Sequence, residues 1–121
     1  MSDTLLRIPN APDGFLDISS DQAVVNVRLL WPFDRNEDEW IRLDDTFDRT
    51  AFATAVREAA SSSGRGEVES RTSRLVILRR DNDFSIDFAT KGSMPTRAIL
   101  DFPSRHLSEL ITAVESLDSV N

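Results

Sequence analysis

Two amphipathic segments, separated by almost half of the chain, place the strongest constraint on the fold. "TFDRTAFATAVREAASSSG" and the segment after Pro103 both carry apolar residues at helical spacing, which is typical of helices with one buried face. A single helix cannot bury such a stripe by itself, so each needs a sheet or a second helix to cover it. The two stripes correspond at a constant offset of 55 positions, with Phe52, Ala55, Val56 and Ala59 in the first and Leu107, Leu110, Ile111 and Val114 in the second.

Sequence with the alternation of β-strands precedes each helix. In the first half, residues 21–31 and 40–44 alternate apolar and polar side chains and predict a hairpin with a long loop. Residues 1–13 predict a short strand or a loose arm. In the second half, three further segments predict strands, at 73–80, 84–90 and 96–102. We therefore predict an α+β fold: an antiparallel sheet of about six strands that carries both helices on one face.

The two halves follow the same plan, which suggests a duplicated β-β-β-α unit within one domain, residues 1–121. The repeats would span about 14–62 and 73–118, and residues 61–72 would form the linker because they are rich in Ser, Gly and charge. The alternative is that any two such units resemble each other at this level of detail.

Composition narrows the function classes. The chain has 121 residues and no cysteine, so it can have neither a disulfide framework nor a thiolate metal site. It shows no apolar run long enough to span a bilayer and no secretory signal, and we expect a cytoplasmic protein. The net charge of −7 disfavours general nucleic-acid binding unless a basic stripe exists.

The acidic stretch "DRNEDEWIRLDD", residues 34–45, has part of a calcium-loop pattern. The sixth position, where such a loop needs glycine, is Glu39, and the twelfth is Asp45 instead of glutamate. The flanking sequence predicts strands instead of helices. These departures favour the acidic tip of a hairpin, and we expect no metal site.

A third interpretation of the same segment is a protein-binding surface. Acidic side chains surround Trp40, and such a surface suits a basic partner, because aromatic residues anchor and charges steer. The main hypothesis from the sequence is thus a non-catalytic inhibitor, immunity or accessory protein, and a homodimer is also compatible with the pattern. The predicted contact residues are Asp34, Glu37, Asp38, Glu39, Trp40, Asp44 and Asp45.

Catalysis has no candidate set in this sequence. His106 is the only histidine, and it falls near the start of the second helix. There is no cysteine nucleophile, no recognisable Ser–His–Asp grouping and no glycine-rich phosphate loop. We therefore expect neither enzymatic activity nor a cofactor.

The alternative hypothesis is binding of single-stranded nucleic acid through a sheet face in the second half. Phe84 or Phe88 would then serve as a stacking platform. Against this, Phe84, Ile86 and Phe88 share one face and could pack on the helices, while the arginines pair with Asp81, Asp83 and Asp87. The candidate basic residues are Arg71, Arg74, Arg79, Arg80, Lys91 and Arg97.

Two resemblances bear on these hypotheses. "FSIDFATKGSMPTRAILDFPSRHLSELITAVESLD" resembles the Whirly-type and coactivator-type single-stranded-DNA-binding proteins, whose repeats are a four-stranded sheet followed by a helix. The whole chain also looks like small acidic immunity proteins of bacterial toxin systems and related small actinobacterial domains. The first resemblance implies nucleic-acid binding, and the second implies an inhibitor that covers a basic partner with an acidic surface.

The protein-binding hypothesis predicts the effect of reversing charge in the acidic segment. Asp38→Lys combined with Glu39→Lys should leave folding intact and weaken association with a basic partner, mainly by slowing association and reducing its salt dependence. Surface plasmon resonance at two salt concentrations measures both quantities. Unchanged association rates would remove this segment from the interface.

Overall fold

The computed structural model describes residues 3–11, 14–32, 40–93 and 95–119. In these ranges the chain runs through four strands and a helix, and then through four strands and a helix again. The first unit comprises β1 (Asp3–Ala11), β2 (Gly14–Asp21), β3 (Val24–Pro32), β4 (Trp40–Asp48) and α1 (Arg49–Ala60). The second comprises β5 (Arg65–Glu69), β6 (Ser73–Arg79), β7 (Asp83–Thr90), β8 (Arg97–Pro103) and α2 (Ser104–Ser119).

The strands form two separate antiparallel sheets. The first sheet has the order β1-β2-β3-β4, and the second has the order β5-β6-β7-β8. The predicted α+β class with two helices is confirmed, but the prediction of one sheet of about six strands is wrong. Consecutive strands pair with each other, so each ladder is completed within its own half, and α1 separates β4 from β5.

Two strands lie where the sequence analysis predicted none. β2 occupies Gly14–Asp21, and β5 lies inside the segment 61–72 that was predicted to be a linker. Each repeat therefore contains four strands instead of three. β5 belongs to the core, because Val68 is buried and the strand packs directly against α1.

The alternation of apolar and polar residues determines which face of each strand is buried, as predicted for β3 and β7. Val25, Val27 and Leu29 are buried in β3, and Phe84, Ile86 and Phe88 are buried in β7. α1 begins where Asp48 accepts a hydrogen bond from the backbone N–H of Ala51, at 3.0 Å.

One continuous core joins the two sheets and the two helices. Phe47 of the first sheet and Phe88 of the second meet edge to face, with ring centroids 6.0 Å apart. Phe52 of α1 is fully buried, and Ile111 of α2 packs against the same core. The two helices therefore share one core, although they do not lie on one face of a single sheet as predicted. Neither described helix is both long enough and apolar enough to cross a bilayer.

Gly66 allows α1 to touch β5 backbone to backbone. A Cβ atom at this position would lie 1.7 Å from the carbonyl oxygen of Ala55, far inside any real contact distance. Because backbone lies on both sides of the overlap, a side chain at residue 66 could be accommodated only by moving the helix. The absence of a side chain at Gly66 therefore sets the distance between α1 and the second sheet.

We expect Gly66→Ala to destabilise the protein by about 3 kcal/mol or more, because it overpacks a site that cannot relax. Urea unfolding followed by circular dichroism measures the loss. Gly64→Ala is the matched control: its Cβ would meet only the Arg79 carbonyl, at 3.6 Å, although φ is +67°. That control should cost about 1–2 kcal/mol from backbone strain alone. Equal midpoints for wild type and Gly66→Ala would contradict the close approach.

Candidate functional site

Three arginines project from the outward face of the second sheet, the side opposite the core. The strand register places Arg74 and Arg97 in one cross-strand row, separated by Ala89 of β7. Arg65 lies on the neighbouring strand β5, opposite Leu78. Together they border a shallow groove whose floor is formed by Val76, Leu78 and Ala89. We call this surface, with Arg65, Arg74 and Arg97 around its groove, the arginine face.

Carboxylates on the same face hold these arginines. Glu67 accepts from Arg74 and, at 3.1 Å, from Nη2 of Arg65. The hydrogen bond from Arg74 is the main reason that the pKa of Glu67 lies below its usual value. Asp87 accepts from Nε of Arg97 at 2.9 Å and from Nη2 at 2.5 Å, which makes a bidentate pair. The side chains of all three arginines are about half exposed, so a phosphate group can reach them and compete with the carboxylates.

The structure separates the predicted basic residues into two groups. Lys91 donates to Oε2 of Glu69 at 3.0 Å and to the Ser70 carbonyl at 2.9 Å. Arg71 is exposed in the turn between β5 and β6, next to Lys91 and at the end of the sheet that carries Arg74 and Arg97. Arg79 and Arg80 lie at the opposite end of β6, at its turn into β7. The six residues predicted together therefore do not form one patch.

The predicted aromatic platform is absent from the arginine face. Phe84 and Phe88 are completely buried against the core, which agrees with the argument against a stacking platform in the sequence analysis. Phe102 is 1% exposed. Within the described residues, the face instead presents aliphatic surface, including Ile99 of β8 at 53% exposure. Arg65 was not among the predicted residues, because β5 itself was not predicted.

The outward face of the first sheet carries an alternating row of charges. The register places Arg7, Asp17, Arg28 and Asp44 side by side across the four strands. The guanidinium carbon of Arg7 lies 5.6 Å from the centre of the Phe15 ring. Because cations and anions alternate, this row offers a neutral surface.

Most of the predicted acidic surface lies outside the described residues, namely Asp34, Glu37, Asp38 and Glu39. Trp40 is the first residue of β4, and its side chain is also outside the description. Asp44 is exposed and accepts from Nε of Arg42 at 2.7 Å. A protein contact through this segment stays a prediction.

Asp45 connects the two sheets. Its Oδ2 accepts hydrogen bonds from the hydroxyls of Ser70 and Thr72, both at 2.6 Å, and its Oδ1 accepts from the backbone N–H of Thr46 at 2.8 Å. Partial burial by itself would raise the pKa of Asp45, but the hydrogen bonds outweigh it and hold the pKa below its ordinary value. This carboxylate therefore has internal partners from the turn between β5 and β6.

No group of three or more His, Asp or Glu side chains within the described ranges is arranged to hold a metal ion. His106 is partly buried on α2, with Nδ1 3.4 Å from Glu109. The expectations of no catalysis, no metal and no cofactor stay predictions.

Comparisons with known proteins give a fold and no family. No family model matches the chain, and no curated relative matches it. The Trypanosoma brucei MRP1/MRP2 structure aligns with the whole chain and 84% of its own, with a TM-score of 0.66 and 14% identity. A guide-RNA-binding protein complex bound to a guide RNA aligns with the whole chain and 90% of its own, with a TM-score of 0.67 and 10% identity. The chain has the fold of these two proteins.

The hydrogen bonds of Asp45 predict a pH-dependent loss of stability in Asp45→Ala. Because the folded pKa is lowered, the charged carboxylate stabilises the fold above its unfolded pKa and ceases to do so as pH falls through the folded value. We expect the variant to be about 1–2 kcal/mol less stable at pH 7, from the lost charged hydrogen bonds.

Urea unfolding at several pH values measures this effect. The difference from wild type should shrink as the pH falls below 4, while the neighbouring Asp44→Ala should change stability by about 0.5 kcal/mol or less throughout. A difference that stays constant down to the lowest pH would show that the charge of Asp45 does not connect the sheets.

Proposed function

We propose that the protein binds single-stranded nucleic acid through the arginine face. The observation that carries this proposal is the convergence of Arg65, Arg74 and Arg97 around one groove on an otherwise continuous sheet surface. The fold adds support, because one of the two similar structures is a guide-RNA-binding complex with its RNA bound.

The guanidinium groups gather at two points of the arginine face. Arg65 and Arg74 both converge on Glu67, whereas Arg97 is held by Asp87. The register places Glu67 and Asp87 in one row with Val76 between them, so their strands lie about 10 Å apart. The Arg65–Arg74 pair and Arg97 can therefore contact different phosphates of one strand. Arginine suits this role because its planar fork of donors matches two phosphate oxygens at once.

The groove floor favours an unpaired strand over a duplex. Leu78 and Ala89 in the groove are partly exposed, and the exposed Ile99 lies on the neighbouring strand β8; they offer aliphatic surface, against which the face of an unpaired base can lie. A duplex hides the faces of its bases, and its two strands would also be repelled more strongly by a protein of net charge −7. Since these contacts involve phosphates and base faces, binding should depend little on sequence.

Glu67 and Asp87 compete with phosphate for the same donors. Each carboxylate holds an arginine that a phosphate group would otherwise bind. Binding is therefore expected to be moderate in strength and steeply dependent on salt. It also follows that removing one of these charges should strengthen nucleic-acid binding.

The first sequence hypothesis, a protein that binds a basic partner through an acidic surface, has less support. Asp45, one of its predicted contacts, is engaged by Ser70 and Thr72 inside the molecule. Asp44 remains available on the surface beside Arg42.

Fluorescence anisotropy with labelled single-stranded RNA and DNA tests the proposal. Arg74→Gln combined with Arg97→Gln should weaken binding by about tenfold or more, and should reduce the slope of log K against log salt by about 1.4 for two lost phosphate contacts. Glu67→Gln should tighten binding a few-fold. Glu115→Gln on α2 raises the net charge by one, as Glu67→Gln does, and should have a smaller effect. Arg28→Gln on the first sheet lowers the net charge by one, half as much as the double arginine variant, and should weaken binding by much less than half as much in free energy.

Two results would count against the proposal. Absence of binding to either strand at low salt would exclude a nucleic-acid function. Equal affinities for Glu67→Gln and Glu115→Gln would show that binding does not involve the arginine face.

A further inference from the structure

A second basic site lies at the end of the second sheet, away from the arginine face. The end of α1, the turn from β6 to β7 and the start of α2 surround a cleft of about 530 Å³. Arg79, Arg80 and Arg105 line it, and we call it the terminal cleft. Its volume falls in the range of about 300–1,000 Å³ that is usual for small-molecule sites.

The positive charge of the terminal cleft is not balanced by neighbouring acids, whereas the charges on the two outward sheet faces are. Three arginines and one acid, Asp81, line it, which leaves 3 − 1 = 2 positive charges. The side chains of Arg80 and Arg105 make no hydrogen bond or ion pair with any residue that the structure describes. On the arginine face, by contrast, Glu67 and Asp87 hold each guanidinium group.

Arg79 is held in place at the back of the same cleft. Its Nη1 donates to the carbonyl oxygen of Ala60 at 3.2 Å, and its backbone N–H donates to Gly64 at 2.8 Å. The remaining guanidinium donors are left for another acceptor. One arginine is thus partly fixed in position, and Arg80 and Arg105 at the same cleft add two more sets of donors.

The remaining residues of the cleft offer apolar surface and hydroxyl groups, which suit the base and sugar of a nucleotide. Leu107 and Ile111 supply apolar surface, and Ser104 and Ser108 supply hydroxyl groups. A ligand with a strongly anionic end and a flat, partly apolar body would satisfy both parts of the cleft. A phosphate monoester carries a charge of about −1.5 to −2 and three acceptor oxygens, more than the single charge of a phosphodiester inside a strand.

We propose that the terminal cleft binds the phosphate monoester at the end of a nucleic-acid strand, which rests on the proposed function. Strand β6 connects the two sites, because it carries Arg74 on the arginine face and Arg79 at the cleft. Five residues separate them, or about 17 Å. Because side chains alternate along β6, Arg79 lies on the helix side of the sheet, opposite the arginine face. A strand that follows β6 across the arginine face would therefore bring its end to the cleft by turning around the end of the sheet at Arg80.

The test compares oligonucleotides that differ only at one end. Anisotropy is measured with the same single strand, labelled on one internal base, that carries a 5′-phosphate, a 3′-phosphate or hydroxyls at both ends. A terminal phosphate should tighten binding on the order of tenfold, from new charge-assisted hydrogen bonds. Arg80→Gln combined with Arg105→Gln should remove this gain and leave binding of the hydroxyl strand nearly unchanged. Arg74→Gln with Arg97→Gln should weaken all three strands and keep the gain.

The outcomes separate the two proposals. Equal binding of phosphorylated and hydroxyl strands overturns the terminal cleft and leaves the arginine face standing. No binding of any strand overturns the proposed function. Adenosine 5′-monophosphate at millimolar concentration serves as a separate arm: a rise in melting temperature without any gain for phosphorylated strands would show a free-nucleotide site, and would overturn recognition of strand ends.

Discussion

The two helices of this protein join its two sheets, and this arrangement determines most of the structure. α1 follows the first sheet along the chain, yet its main contacts are with β5 and β6 of the second. α2 follows the second sheet and packs about equally against β7 and β8 of that sheet and against β1 of the first. Because each sheet is covered partly by the helix of the other half, neither repeat contains its own complete core. The outward sheet faces are thereby left uncovered.

The helices and strands that have a clear local pattern of apolar residues could be predicted from the sequence alone. The stripes of both helices and the alternation of β3, β6, β7 and β8 are local signals, and the structure buries the residues they indicate. β2 and β5 were not predicted. β2 does alternate, with Leu16 and Ile18 buried between Asp17 and Ser19, but only these two apolar residues mark its inward face before Ser20. β5 buries only Val68 and Gly66. Gly66 was predicted to lie in a linker. In the structure, the close approach of the α1 backbone leaves no room for a side chain at this position. No local sequence pattern indicates such a contact.

The basic residues of the candidate sites were predictable in identity more than in position. Arg74 and Arg97 face outward because Leu75 and Ala98 beside them face the core, which alternation already implies. Arg105 joins Arg79 and Arg80 only because the chain returns at the start of α2 to the turn between β6 and β7. Asp45 shows the opposite case. Its position in an acidic run suggested a solvated charge, whereas two hydroxyls from a distant turn surround it.

An acidic protein can bind an acidic polymer if its charges are unevenly distributed. Residues 1–64 contain 12 acids and 6 bases, a net charge of −6, whereas residues 65–121 contain 9 acids and 8 bases, a net charge of −1. Most of the repulsion therefore comes from the first repeat, and it acts over about 8–10 Å at ordinary salt. In the proposed binding mode, a strand approaching the molecule would be directed away from the first repeat and toward the second, where the arginine side chains are about half exposed. The same distribution restricts where a strand can lie in this mode. It can follow β6 across the arginine face and turn around the end of the sheet to the terminal cleft, but it gains nothing by continuing onto the first sheet, whose outward charges already neutralise one another.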